Sequence, residues 1–128
     1  MRLLLDTRVL LWALNGDRRL GTDTRRLLEH RENEVWFSAV NVWEVAIKVS
    51  LGRDDLNVDP DELAELAEEC GFVELVVRSR HAAATVKLPP VHADPFDRLL
   101  IAQAHAENLT LLTVDAAVLA YGPVALRA

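Results

Sequence analysis

The sequence predicts an α/β fold, with a mostly parallel sheet of four to five strands covered by helices on both faces. Three observations lead there. Short apolar runs rich in Leu, Val and aromatic residues alternate with helical patterns along the whole chain. The runs "RLLLD", "EVWFSA", "FVELVV" and "LTLLTVD" are nearly continuous in apolar character, as strands buried on both faces are. A length of 128 residues, about half of them apolar, suits one core and one domain over residues 1–128.

The elements follow in order. Residues 2–6 read as a strand stopped by Asp6 and Thr7, 9–14 as a short helix, and 21–31 as a second helix capped by Thr22 or Asp23. Residues 34–39 form the second strand, after which Ser38 caps a helix through "VNVWEVAIKVSLGR" that Gly52 ends. In 60–70, Leu63, Leu66, Ala67 and Cys70 make one stripe with acids opposite, an amphipathic surface helix. Residues 72–77 are a third strand, and 79–88 a short helix halted by Pro89 and Pro90. Asp94 and Pro95 start a helix, 109–115 is the fourth strand, and "GPVALRA" supplies a short fifth.

Composition excludes several classes. No run of 18 uncharged apolar residues exists, so no membrane span is expected, and Asp6 interrupts the N-terminus too early for a secretory signal. Cytoplasm is the expected compartment. Cys70 is alone, which forbids an internal disulfide or a zinc knuckle and suggests a buried or half-buried thiol. A net charge of -6 argues against gripping nucleic acid by bulk attraction. Five arginines (Arg18, Arg19, Arg25, Arg26 and Arg31) and the acidic 59–69 segment leave a local basic patch and two solvated faces both open. The scattered glycines make no phosphate-cradling loop.

Four carboxylates sit where carboxylates are costly. Asp6 and Asp115 each follow an apolar strand, so both emerge at the carboxyl edge of the sheet, where α/β proteins bind ligands. Glu44 has Val40, Trp43, Ile47 and Leu51 on its helix face, and Asp97 has Leu100, Ile101 and Ala104. Brought together without a counter-ion, such groups raise one another's pKa, and a divalent cation resolves the conflict. Oxygen donors without a cysteine or histidine set suit Mg²⁺ or Mn²⁺, which activate water and neutralise charge on phosphoryl oxygens. Phosphate-ester chemistry is the expectation. Each acid also has a plainer reading: Asp97 as the reaching-back member of a capping box, Asp94 as an N-cap, Asp115 as a turn cap, Asp6 and Glu44 as partners of buried arginines.

Other groups are secondary. Thr7 and Thr113 flank the strand-end aspartates and either orient a carboxylate or serve as turn residues. Asn41 satisfies the helix start, while Arg98 contacts a substrate phosphate or pairs with a neighbouring acid. His81, His92 and His105 are expected to be solvent-facing or locally hydrogen-bonded, and Trp12, Trp36 and Trp43 to be core or interface anchors.

The stretches "LLLDTRVLLW", "VNVWEVAIKVSLGR" and "HADPFDRLLIAQAHAENLTLLTVD", with the closing Tyr121, resemble the PIN-domain ribonucleases of the VapC type, the toxin halves of bacterial toxin–antitoxin pairs. The resemblance covers essentially the whole chain. It implies a three-layer α/β/α sandwich, an acidic cluster holding Mg²⁺ or Mn²⁺, and endonucleolytic cleavage of RNA to a 5′-phosphate and a 3′-hydroxyl. It also implies a homodimer inhibited by a small VapB-like antitoxin, with a higher-order complex open. The family acids fall on Asp6, Glu44, Asp97 and Asp115, and the hydroxyls on Thr7 and Thr113. Asp6 and Asp97 are expected to carry most of a first ion, Glu44 and Asp115 to complete the site or recruit a second, and Asp94 to support the helix start. Two other classes stay open: a catalytically silent interaction module of the same fold, and a receiver- or phosphatase-like domain. The second needs a lysine after a strand end, and neither Lys48 nor Lys87 is so placed.

Overall fold

Five parallel strands, β1 (Arg2–Leu5), β2 (Glu34–Ser38), β3 (Val73–Leu75), β4 (Thr110–Thr113) and β5 (Ala125–Arg127), form one sheet ordered β3-β2-β1-β4-β5 in a computed structural model that describes residues 1–128. Side chains alternate across a strand, so an apolar run sends every second residue to each face. Leu3 and Leu5 of β1 enter one core with Phe37 of β2 and Leu112 of β4, while Leu4 and Leu111 enter a second core on the opposite face. Two cores on one sheet give the expected three layers.

The first core is closed by α1 (Thr7–Asn15), the C-terminal half of α3 (Ala39–Ser50) and α4 (Pro60–Glu69), through Val9, Leu10, Val45, Leu63 and Ala67. The second is closed by α6 (Pro95–Glu107) and α7 (Ala116–Leu119), through Leu100, Ile101, Ala104 and Val118. Full burial of each such side chain contributes about 1.5–3 kcal/mol, which makes the sheet a stiff platform for its carboxyl edge. Of the remaining helices, α2 (Thr22–Glu29) packs Leu27 and Leu28 against the first core and α5 (Ser79–Ala84) packs against α6. No helix is long and apolar enough to cross a membrane.

Several boundaries differ from the sequence expectation for identifiable reasons. α1 begins at Thr7, not residue 9, because Asp6 turns from strand residue to N-cap and its side chain accepts the Val9 N–H. α2 is capped by Gly21 without a side-chain bond, in place of Thr22 or Asp23. α3 stops at Ser50, and Gly52 takes φ +87° in the turn beyond, where an L side chain is strained. Cys70, expected to be at least half buried, is exposed at the end of α4.

β2 and β3 lie successively outward on one side of β1, and the chain then returns to place β4 on the other. The direction of strand addition therefore reverses between β1 and β4. A crevice opens outside the carboxyl ends at such a reversal.

Candidate active site

Asp6 stands at that reversal, directly after β1 and almost wholly buried. Its Oδ1 accepts the Val9 N–H at 2.8 Å, and its Oδ2 accepts the hydroxyl of Thr113, the last residue of β4. Burial nevertheless holds the Asp6 carboxyl above the ordinary carboxylate range; the Thr113 and Val9 hydrogen bonds oppose that rise without cancelling it. Asp115, two residues past β4, caps α7 by accepting the Ala117 N–H at 2.9 Å. The cap and site readings of Asp6 and Asp115 are thus compatible.

Glu44 is buried on the α3 face that meets α1. Its Oε1 accepts the Thr7 hydroxyl at 2.7 Å and its Oε2 accepts Lys48 Nζ at 2.6 Å, so its cation is the lysine one turn on, not an arginine. Asn41, read from sequence as a helix-start residue only, does more. Its Oδ1 accepts the Ser38 N–H at 2.6 Å, which fixes the amide orientation, and its Nδ2 then donates to the Leu5 carbonyl and to Thr7 Oγ1 at 3.2 and 3.0 Å. With Thr7 Oγ1 receiving that proton, the Thr7 hydroxyl's own proton points at Glu44. Ser38 is in turn held by fully buried Gln103 of α6, at 2.6 Å. A buried polar chain from α6 to α1 sets the polarity at Glu44.

α6 brings Asp94 and Asp97. Asp94 Oδ1 accepts the N–H groups of Phe96 and Asp97, and Pro95 opens the helix, as the sequence predicts. Asp97 does not complete a capping box; its Oδ2 lies 2.8 Å from His92 Nε2. Burial, reinforced by the negative charges of Asp94, Glu44 and Asp6, pushes the Asp97 carboxyl up to about 6 despite the His92 bond. His92 Nε2 also lies 3.8 Å from Asp115 Oδ2. His92, expected to be a bystander, therefore belongs to the site; the "HADPFD" spacing of five to Asp97 was its only trace in the sequence.

Arg98 pairs with no neighbouring acid. Its guanidinium donates to the carbonyls of Thr85, Leu88, Pro89 and His92 and to Tyr121 Oη, at 2.9–3.4 Å. Tyr121 Oη also accepts the His92 N–H at 3.1 Å, so Arg98 and Tyr121 together clamp the segment that presents His92. His81 is locally hydrogen-bonded rather than solvent-facing: it is fully buried, with Nδ1 accepting the Arg78 N–H at 2.9 Å. Trp12 and Trp36 are half-buried with arginines over their rings, and exposed Trp43 meets Phe96 edge-on at 5.0 Å.

Asp6, Glu44, Asp94, Asp97 and Asp115 all line one cleft of about 860 Å³. The four carboxylates singled out from sequence, and the supporting Asp94, thus converge from β1, α3, α6 and the end of β4. Two of them, Asp6 and Asp97, sit above their ordinary range: neither forms an ion pair with an arginine, and the nearby Arg8 charge lowers Asp6 without cancelling the effect of burial. This donor set fits a divalent cation, whose charge would offset what burial penalises. Ligand atoms of His92, Asp94 and Asp97 lie within 4.8 Å of one another, which adds an imidazole to the expected oxygen donors.

Comparisons with known proteins agree with this architecture. The family model described as PIN domain matches residues 3–122. Among solved structures, VapBC2 from Rickettsia felis bound to a DNA fragment from their promoter is similar at a TM-score of 0.71 and 17% identity, covering 100% of this chain and 98% of that one. A toxin–antitoxin complex from Klebsiella pneumoniae matches at 0.66 and 20%, covering 96% and 94%. FitAcB from Neisseria gonorrhoeae matches at 0.61 and 20%, covering 98% and 96%. No curated protein matches the sequence. With the family model spanning nearly its full length, and its acids gathered at the carboxyl edge of an all-parallel sheet, the chain belongs to the PIN domain family.

Proposed function

We propose that the chain is a divalent-metal-dependent endoribonuclease, the toxin of a toxin–antitoxin pair. It acts in the cytoplasm as a homodimer and is silenced by a small VapB-like antitoxin. One observation carries the reading: buried Asp6 and half-buried Asp97 share a cleft with Glu44 and Asp115, and burial holds the first two above the usual carboxylate range. The toxin–antitoxin complexes among the structural neighbours support the partner.

Asp6 and Asp97 would hold Mg²⁺ or Mn²⁺, with Asp115, Asp94, Glu44 and His92 around them. The ion, when bound, supplies water activation and neutralises charge on the phosphoryl oxygens. The chain's own groups set the geometry. Thr113 aims Asp6, His92 aims Asp97, and Thr7 with Lys48 holds Glu44 in place at the cleft wall. Water adds in line to phosphorus as the bond to the 3′-oxygen breaks. A carboxylate, for which Asp115 is placed with Oδ2 free of any close donor, takes the water's proton. The 3′-oxygen leaves with the bonding electron pair and takes a proton from solvent water, so a 3′-hydroxyl and a 5′-phosphate remain.

The test is cleavage of structured RNA by purified protein freed of antitoxin. Activity that needs Mg²⁺ or Mn²⁺ and disappears in Asp6→Asn and Asp97→Asn supports the proposal. Wild-type protein inactive with both ions across a range of RNAs would sink it.

A further inference from the structure

The cleft continues past the carboxylates along α1. Arg8, Trp12 and Asn15, spaced four and three residues apart, share one helix face, and all line the cleft. Four cations line it in all. Arg19 is paired with Asp17 at 2.6 Å, Lys48 with Glu44 at 2.6 Å and Arg53 with Asp55 at 2.8 Å. Arg8 alone forms no ion pair or side-chain hydrogen bond, and it stands two residues beyond Asp6. One turn along, the Arg19 guanidinium lies over the Trp12 ring, 5.1 Å from its centroid, and Asp17 grips it through both Nε and Nη2.

We propose that this face of α1 is a track for single-stranded RNA, in which Arg8 holds a backbone phosphate beside the acidic end and the Arg19–Trp12 stack receives an unpaired base. The Arg8 guanidinium feels the Asp6 charge but makes no close ion pair or hydrogen bond, so its donors are free for a phosphate, the complementary group. Indole and guanidinium planes are the surfaces on which unpaired bases stack, whereas a duplex hides those base faces. Only four of the eighteen lining residues are apolar, so the cleft lacks the stripe that an amphipathic partner helix requires. Arg98 does not line the cleft and its terminal nitrogens are held by carbonyls and Tyr121, which leaves phosphate recognition there to Arg8. It rests on the nuclease reading and adds to it the residues of this chain that would hold the strand.

The experiment is fluorescence anisotropy of a labelled oligouridylate of about a dozen nucleotides, in EDTA so that binding is read without cleavage, over a series of salt concentrations. Wild type is expected to bind the single strand more tightly than the same strand annealed to its complement. Arg8→Gln should shallow the slope of log K against log salt by about 0.7, the share of one phosphate on a single strand, and Arg8→Lys should keep it. Trp12→Ala should weaken binding about tenfold without changing the slope, and Trp12→Phe should restore most of that loss. The Phe variant matters because Trp12 also packs against the core, and circular dichroism confirms that each variant is folded. An unchanged slope in Arg8→Gln, or equal loss in Trp12→Phe and Trp12→Ala, overturns the proposal. So does a variant that loses an acidic peptide, a polyglutamate probe, while keeping the oligonucleotide, since the cleft is then a protein-binding site. Wild type that binds RNA with this pattern yet cleaves nothing in Mg²⁺ or Mn²⁺ refutes the nuclease reading and leaves the track standing.

Discussion

Replacing Asn41 with aspartate changes one nitrogen to oxygen and should be among the most damaging isosteric substitutions in the chain. Asn41 is fully buried, and its Nδ2 is the donor to both the Leu5 carbonyl and Thr7 Oγ1. Asn41→Asp turns that donor into an acceptor facing two acceptors. Each buried group left without its partner costs about 1–3 kcal/mol, so the pair loses about 2–6 kcal/mol at neutral pH. Urea unfolding at pH 7 should show a lower midpoint at constant slope. The pH dependence separates this cause from simple loss of packing. The introduced carboxyl is buried without a cation, so its folded pKa lies above its unfolded value near ~3.9. The penalty is therefore full above the folded pKa and disappears as pH falls below the unfolded one, where the protonated carboxyl again offers a donor. Asn41→Ala should be destabilised equally across the range. If Asn41→Asp loses less than about 1 kcal/mol at pH 7, or follows Asn41→Ala at every pH, the donor assignment that directs Thr7 at Glu44 is wrong.

Asp97→Asn should lower Mn²⁺ affinity by at least about tenfold in calorimetric titration, as loss of a charged ligand does, while circular dichroism stays that of wild type. Without metal it should be more stable than wild type at pH 7 by about 1–2 kcal/mol after allowance for partial exposure. The folded Asp97 pKa is raised to about 6, so the penalty exists above that value and is gone below the unfolded carboxyl value; the advantage of Asp97→Asn should shrink through this window in urea melts. For the same reason Mn²⁺ affinity of wild type should fall as pH drops below about 6. Asp94→Ala should cost about 1 kcal/mol of stability through its lost cap yet keep most of the ion affinity, and loss as complete as that of Asp97→Asn would refute the division between them. Arg98→Gln should cost about 2–4 kcal/mol and raise exchange of the His92 amide, since charged bonds to the 85–92 carbonyls are lost, while the salt slope of RNA binding stays that of wild type.

Asp6, Glu44, Asp97 and Asp115 were legible because each breaks a local rule. A carboxylate straight after an apolar strand, or inside an apolar helix stripe, is an expense that periodicity exposes. The strands were legible for the same reason, since a two-sided parallel sheet leaves uninterrupted apolar runs. What stayed hidden depends on where side chains end in space. Asp6 serves strand, cap and cleft at once, so the α1 boundary could not be placed by pattern. Lys48 lay in view one turn beyond Glu44, but only the packing of α3 against α1 shows that this lysine, rather than an arginine, meets the buried acid. His92 and Arg98 are separated by the turn that α6 begins, and their exchange of expected roles follows from Arg98 folding back across the loop to reach Tyr121. Asn41 resembles an ordinary helix-start residue until the Leu5 carbonyl is brought beside it by the β1–β2 pairing.

The placement of β4 beside β1 also governs when the protein can first act. β1 leaves the ribosome early, but Asp6 meets Thr113 only after 107 further residues have been made, and Asp115 follows later still. Segments made first fold first, whereas pairings so distant in sequence form late because a long loop must close. During translation the nascent chain carries Asp6 and Glu44 without the strand that completes the carboxyl edge. For the ribonuclease proposed above, the sheet order would keep the cleft incomplete beside ribosome and messenger until synthesis has passed β4.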